Sequence, residues 1–93
     1  MKIAFDLDNT LIKKSNNGED IPNYGAIFFL HMFLALNDVR IFVWSGSGID
    51  YAKRWVEKLG ISENVKVIVK GSIDVDIAVD DEEVNLGKVN IRI

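Results

Sequence analysis

The stretch Met1-Lys2-Ile3-Ala4-Phe5-Asp6-Leu7-Asp8-Asn9-Thr10 decides how the rest of the chain is read. Ile3, Ala4 and Phe5 form a continuous apolar run bounded by polar residues, the pattern of a strand buried on both faces in the middle of a parallel sheet. Open α/β sheets bind ligands beyond the carboxyl ends of their strands, so Asp6 and Asp8 are expected to emerge into such a crevice. Two carboxylates crowded there repel each other unless a cation or a shared proton intervenes. A hard divalent ion such as Mg²⁺ suits them, because it takes oxygen ligands and accepts one or two carboxylates alongside phosphate and water. The same residues also suit a plain turn, since Asp, Asn and Thr are common where strands stop.

Beyond Thr10, the segment from Ile12 to Asn23 contains Ser15, Asn16, Asn17, Gly18 and Pro22 and reads as an exposed loop. It stands where a lid would be inserted and is too short for a folded cap. From Tyr24, the residues Ile27, Phe28, Leu30, Phe33 and Leu34 recur at helical spacing, and Asn37 and Asp38 punctuate the end. His31, alone on this helix and far in sequence from the carboxylates, is assigned no role.

Val39 to Trp44 predicts a second strand, followed by Ser45-Gly46-Ser47-Gly48 and a helix carrying Tyr51, Ala52, Trp55, Val56 and Leu59 at helical spacing. Free N–H groups at a helix amino terminus, reached past small residues, make a phosphate cradle. A flexible turn capped by Ser47 or Asp50 is the structural alternative. Gly60 stops this helix, and Val65 to Val69 predicts a third strand. Trp44 and Trp55 read as core. Val75 to Val79 repeats the opening design, an apolar strand that ends in Asp80, Asp81, Glu82 and Glu83. If the two acid-tipped strands are parallel neighbours, Asp6, Asp8, Asp80 and Asp81 converge on one pocket that requires a metal. Glu82 and Glu83 read as a solvated charge run, and Val89 to Ile93 as a closing edge strand.

The chain has 93 residues, 48% of them apolar, which is enough for one domain (residues 1–93) with its own core and leaves no room for a second. It contains no cysteine and one histidine, which excludes disulfides, thiolate metal sites and multi-histidine zinc sites. With no apolar run near the roughly 20 residues that span a bilayer and no secretory pattern at its start, the protein is expected to be soluble and cytoplasmic, without a membrane partner. Its net charge is −3, with no basic block to advertise nonspecific nucleic-acid binding. Lys13, Lys14, Arg40, Lys53, Arg54 and Lys70 could still group in space.

Taken in order, these motifs resemble those of the haloacid dehalogenase (HAD) superfamily of phosphohydrolases, over nearly the whole chain. Phe5-Asp6-Leu7-Asp8-Asn9-Thr10 is similar to the first motif and Phe42-Val43-Trp44-Ser45 to the second, while Ile77-Ala78-Val79-Asp80-Asp81 is similar to the fourth. Lys70 best matches the third, a lysine upstream of the fourth. Asn9 stands where many members have glycine. The resemblance implies a three-layer, Rossmann-like α/β fold with a parallel sheet of about five short strands in the order 5-4-1-2-3, truncated and without a cap domain. It implies Asp6 as the nucleophile that takes the phosphoryl group and Asp8 as general acid and then base. Mg²⁺ would be held by Asp6, the main-chain carbonyl of Asp8, and Asp80 with help from Asp81. Ser45, the Gly46 and Ser47 amides and Lys70 would bind the phosphoryl oxygens. Dehalogenases of the superfamily lack the second acid and its ion-pumping ATPases replace it with threonine, so Asp8 points to a phosphatase.

In that family the third and fourth strands lie on opposite sides of the first, yet only Gly71 to Asp74 separates Val69 from Val75. Such a link reaches about 17 Å, enough to cross a few strands but not to return along a helix. The crossover helix is therefore expected to be missing or the third strand very short, leaving Lys66, and more remotely Lys53, as alternatives to Lys70. An open, capless site favours a large phosphorylated substrate, with nucleotides or nucleic-acid 3′-phosphate ends preferred by analogy. Otherwise a lid would come from the Ile12–Asn23 loop, a second copy of the chain or a partner protein. The alternative to an enzyme is a catalytically inactive phosphate- or metal-binding module on the same fold.

Overall fold

The opening apolar run is the centre of the sheet. In a computed structural model that describes all 93 residues, β1 (Lys2–Asp6) pairs in parallel with β4 (Arg40–Trp44) on one side and β6 (Val75–Asp80) on the other. Outside these lie β5 (Val65–Val67), parallel to β4, and β7 (Gly87–Arg92), parallel to β6. Ile3, Ala4 and Phe5 have no solvent exposure, because both faces of β1 are covered.

The parallel sheet has the five short strands expected, and two further short strands bring the total to seven. The main sheet runs β5-β4-β1-β6-β7, and the numbering departs from the expected 5-4-1-2-3 because two short strands, β2 (Ile12–Lys13) and β3 (Ile21–Pro22), form a separate antiparallel sheet after β1. The segment read as an exposed loop is thus a hairpin, exposed over residues 13–19 and at Ile21. Leu11 and Ile12 are fully buried beneath it, and burial of two large aliphatic side chains is reason enough for the segment to fold back. Pro22 is tolerated because it sits in a two-residue edge strand.

The three-layer expectation also needs correction. The helices α1 (Tyr24–Leu34) and α2 (Ile49–Lys58) contribute Ala26, Leu30, Ala52 and Val56 to one cluster with Ile3, Phe5, Ile41, Val43 and Val79, so both lie on the same face of the sheet. The steps β1 to β4 and β4 to β5 travel in the same direction, and right-handed crossovers in one direction share a face. The return from β5 to β6 runs back over β4 and β1 and uses the other face. No helix forms there, because β5 stops at Val67, short of the expected Val69, and the remaining link has only residues 68–74. Ile68 and Ile73 from that link, with Leu86, cover Ala4, Phe42, Trp44, Val75 and Ala78. Trp44 is fully buried in this thinner layer, whereas Trp55 is half-buried with Lys58 Nζ 4.8 Å from its ring centroid.

On the helical face, Phe5 meets Phe29 and Phe33 edge-on at centroid distances of 6.0 and 6.2 Å. Such contacts add about 0.5–1.5 kcal/mol each beyond area burial. They lock α1 over β1, the strand that presents the carboxylates. The last strand begins two residues before the expected Val89, at Gly87, where a Cβ would lie 2.8 Å from the Ala78 amide nitrogen and 2.9 Å from the Val89 carbonyl. Only glycine lets β7 start so close to β6. No helix is long and apolar enough to cross a membrane.

Candidate functional site

Strand register brings the motif residues together. Phe5 lies opposite Val79 and Asp6 opposite Trp44, so Asp80 emerges beside Asp6 on one side and Ser45 on the other. The three elements end in a cleft of about 250 Å³ lined entirely by polar residues and one glycine: Asp6, Asp8, Asn9, Ser45, Gly46, Ser47, Lys70, Asp80, Asp81 and Glu82. All eight residues singled out from the sequence line it. Glu82, taken as part of a solvated run, lies at its exposed rim, and its amide donates to Asp80 Oδ1 at 3.0 Å. A larger depression of about 460 Å³ between α1 and β7 contains no titratable side chain.

Lys70 arrives over the face that lacks a helix. Its Nζ donates to Asp6 Oδ1 at 3.1 Å and to Asp80 Oδ2 at 2.8 Å. It is the only cation lining the cleft. Lys66 is exposed on β5 beside Arg40 and Glu63, and Lys53 is exposed on α2, so neither alternative reaches the carboxylates. The basic residues do not group around the cleft either.

Burial pushes the Asp6 carboxyl up to about 6, assisted by the neighbouring Asp80 charge and opposed by Lys70. Burial works against the Lys70 ammonium, but hydrogen bonds and charge attraction from Asp80 and Asp6 outweigh it and raise its pKa. Thr10, fully buried, adds long hydrogen bonds from Oγ1 to Asp6 Oδ2 (3.4 Å) and Asp81 Oδ1 (3.5 Å). One carboxylate oxygen from each of Asp6, Asp80 and Asp81 lies within 4.8 Å of the others. Octahedral Mg²⁺ with bonds of about 2.1 Å requires ligand oxygens roughly 3 to 4.2 Å apart, so these three hard oxygen donors could hold such an ion once drawn slightly closer together.

Asp8 is separated from that cluster. Its Oδ1 accepts a 2.7 Å hydrogen bond from Tyr51 Oη, and its Oδ2 a 3.4 Å bond from Ser47 Oγ. Asn9 has φ +60°, a left-handed conformation that glycine adopts freely and asparagine tolerates, which accounts for the residue found there. Tyr51 in turn accepts from Lys14 Nζ at 3.3 Å, and Lys14 is paired with Asp20 at 2.7 Å across the hairpin. Burial and the bond to Asp8 raise the Tyr51 pKa, so the phenol stays protonated as a donor. No hairpin residue lines the cleft, which leaves the expected lid position open in this structure.

The Ser45–Gly48 loop turns the chain from β4 into α2. Ser45 is buried, and its Oγ accepts from the Ser47 amide at 3.1 Å. Gly48 caps the helix at φ +101°, which disfavours any side chain. The exposed Gly46 and Ser47 stand on the cleft rim facing the acids, at the amino-terminal end of α2.

Tyr51 and Lys14 are absent from the sequence-derived site. Tyr51 falls on the apolar stripe of α2 and reads there as packing; its position just inside the helix after the Ser-Gly loop is the signal that could have found it. The chain matches no model of a known protein family, and no curated protein and no solved structure matches it significantly.

Proposed function

We propose that the protein is a Mg²⁺-dependent phosphomonoester hydrolase that works through an aspartyl-phosphate intermediate, as a minimal, capless HAD-type enzyme. The observation that carries this reading is the division of labour between the two motif carboxylates: Asp6 stands with Asp80, Asp81 and Lys70, while Asp8 is held apart by Tyr51 and Ser47. One acid is positioned to attack a phosphorus atom and the other to handle the leaving group's proton.

Asp6 attacks the phosphoryl group and becomes the acyl phosphate while Asp8 protonates the departing alkoxide. Asp8 then takes a proton from water, whose oxygen attacks the phosphorus and releases Asp6 with inorganic phosphate. Lys70, the Ser45 hydroxyl, the Gly46 amide and, once it exchanges its bond to Ser45 Oγ, the Ser47 amide would hold phosphoryl oxygens, and positioning of this kind carries most of the acceleration in phosphoryl transfer. Asp6, Asp80, Asp81 and the Asp8 carbonyl would hold Mg²⁺, which when bound neutralises charge on the transferring group.

The polar walls offer nothing to grip an apolar leaving group, so the cleft suits the phosphate alone, with the rest of the substrate outside. Nucleotides or the 3′-phosphate end of a nucleic acid are the preferred substrates by analogy with capless relatives. The short crossover delivers Lys70 to the acids, which supports catalysis over an inactive binding module. The test is phosphate release, with and without Mg²⁺, from an aryl phosphate, a nucleotide panel and a 3′-phosphorylated oligonucleotide, comparing the native chain with Asp6→Asn. Release that requires both Mg²⁺ and Asp6 is expected. Mg²⁺ binding without turnover on any substrate would replace the enzyme with the binding module.

A further inference from the structure

The two helices differ in what they show to solvent. On α2 the exposed positions after the first turn are Lys53, Arg54, Glu57 and Lys58, as a water-facing surface requires. On α1 and its end they are Tyr24, Gly25, Phe28, His31, Met32, Ala35 and Leu36, without one Asp, Glu, Lys or Arg. Tyr24, Phe28, Met32 and Leu36 are spaced four residues apart, form one stripe, and are 75, 68, 55 and 52% exposed. A helix apolar all round is normally buried on every side. The patch continues onto the sheet edge, where Val89 and Ile93 of the last strand region are 55 and 46% exposed and a groove lined by Gly25, Ala26, Phe29, Ile91 and Ile93 joins the two surfaces.

We propose that this face is the interface of a homodimer, in which the α1 helices of two copies pack antiparallel about a two-fold axis. The area fits: six such side chains offer on the order of 600 Å² per copy, about 1,200 Å² for the pair, within the range of specific interfaces and at the upper end of the largest patches left on monomers. The stripe is also self-complementary. Its centre lies midway between Phe28 and Met32, so a two-fold axis there sets Phe28 against the partner's Met32 and Tyr24 against the partner's Leu36. An isologous contact brings each residue near the axis close to its own copy, so a charge there would meet itself; an uncharged face meets no such penalty. A lipid surface is the poorer occupant, because membrane-lying helices carry Lys and Arg beside their apolar face and α1 carries neither. Antiparallel pairing points the two clefts in opposite directions and leaves both open, so the dimer is independent of the proposed phosphatase activity.

The mass of the full chain, measured by sedimentation over a range of concentrations, tests this. The expected result is a species of twice the 10.5 kDa chain mass that becomes monomeric in both Phe28→Lys and Met32→Lys, with circular dichroism unchanged. Mixing Phe28→Lys with Met32→Glu should restore a dimer that neither variant forms alone. A native chain that is monomeric up to high micromolar concentration overturns the proposal, as does a dimer that persists in both lysine variants. Vesicle binding by a monomeric native chain would assign the face to lipid instead. If one lysine variant fails to fold, the other carries the test.

Discussion

Tyr51 Oη donates to Asp8 Oδ1 across 2.7 Å, which ties the second motif acid to the helix that follows the Ser45–Gly48 loop. The bond fixes the orientation of Asp8 without placing Tyr51 in the lining of the cleft. Hydrogen bonds to charged groups are worth about 1.5–3 kcal/mol. Tyr51→Phe should therefore lower kcat roughly ten- to a hundredfold while KM changes little, since ground-state phosphate contacts survive. A variant that loses affinity with kcat intact would make Tyr51 a substrate contact rather than a positioning residue.

Asp6→Asn should abolish turnover, because a near-isosteric amide cannot serve as the nucleophile. It should also stabilise the fold near neutrality. The folded pKa of Asp6 is raised from 3.8 to about 6, so the folded state holds its proton more tightly than the unfolded chain. Stability from this group is then fully present below about pH 4 and is lost as pH rises toward 6. Removing the charge should return about 1–3 kcal/mol at pH 7 and nothing at pH 3.5. Thermal melts of both proteins at the two pH values check this, and an equal difference at each would disconnect it from Asp6 ionisation.

Mg²⁺ should relieve the same crowding. At a hundred times its dissociation constant a ligand that binds only the folded state adds about 2.7 kcal/mol. For a chain of this size that is a rise in Tm on the order of 10 °C. Asp80→Asn should shift the Mg²⁺ dependence of both the melt and phosphate release to higher concentration. Equal dependence in variant and native chain would remove Asp80 from the metal site.

Much of this arrangement was legible in the chain, for identifiable physical reasons. Ile3 to Phe5 is too apolar for anything but a central strand, and acids directly after two such strands must meet if the strands are neighbours. The hairpin was hidden because Leu11, Ile12 and Ile21 are too few to outweigh the polar tip in a local reading. The one-sided placement of the helices depends on which way each crossover travels across the sheet, a property of strand order rather than of local pattern. On α1 the stripe from Ile27 to Leu34 marked a helix but not its face, because Phe28 is as apolar as Phe29 and only the fold exposes one and packs the other. Lys70 was recognisable by its place ahead of the second acidic strand, whereas Tyr51 needed three dimensions, since its hydroxyl meets a carboxylate 43 residues earlier.

Lys70→Met should be the most damaging single change to the cleft that leaves the acids in place. It deletes the one cation between Asp6 and Asp80, which is also the proposed donor to the phosphoryl oxygens, so phosphate release should fall at least about a hundredfold. Two buried carboxylates would then face each other unpaired, costing on the order of 1–3 kcal/mol near neutrality and less in acid, where one of them is protonated. Melts at pH 7 and pH 4 read this difference, and a pH-independent loss would point to packing of the Lys70 stem instead.

Gly87→Ala tests the strand register that seats Asp80. The added methyl would lie 2.8 Å from the Ala78 amide nitrogen and 2.9 Å from the Val89 carbonyl, and neither atom is the end of a flexible side chain. The backbone of β7 must move away from β6, at a cost of about 1–3 kcal/mol by analogy with overpacked cores. β7 also closes over the end of β6, where the Ile93 amide donates to the Asp80 carbonyl at 2.9 Å. The variant should therefore melt lower than the native chain and need more Mg²⁺ for half-maximal activity. If Tm falls while the Mg²⁺ requirement stays fixed, Asp80 is held by β1 and Lys70 alone, and the edge strand contributes stability without tuning the site.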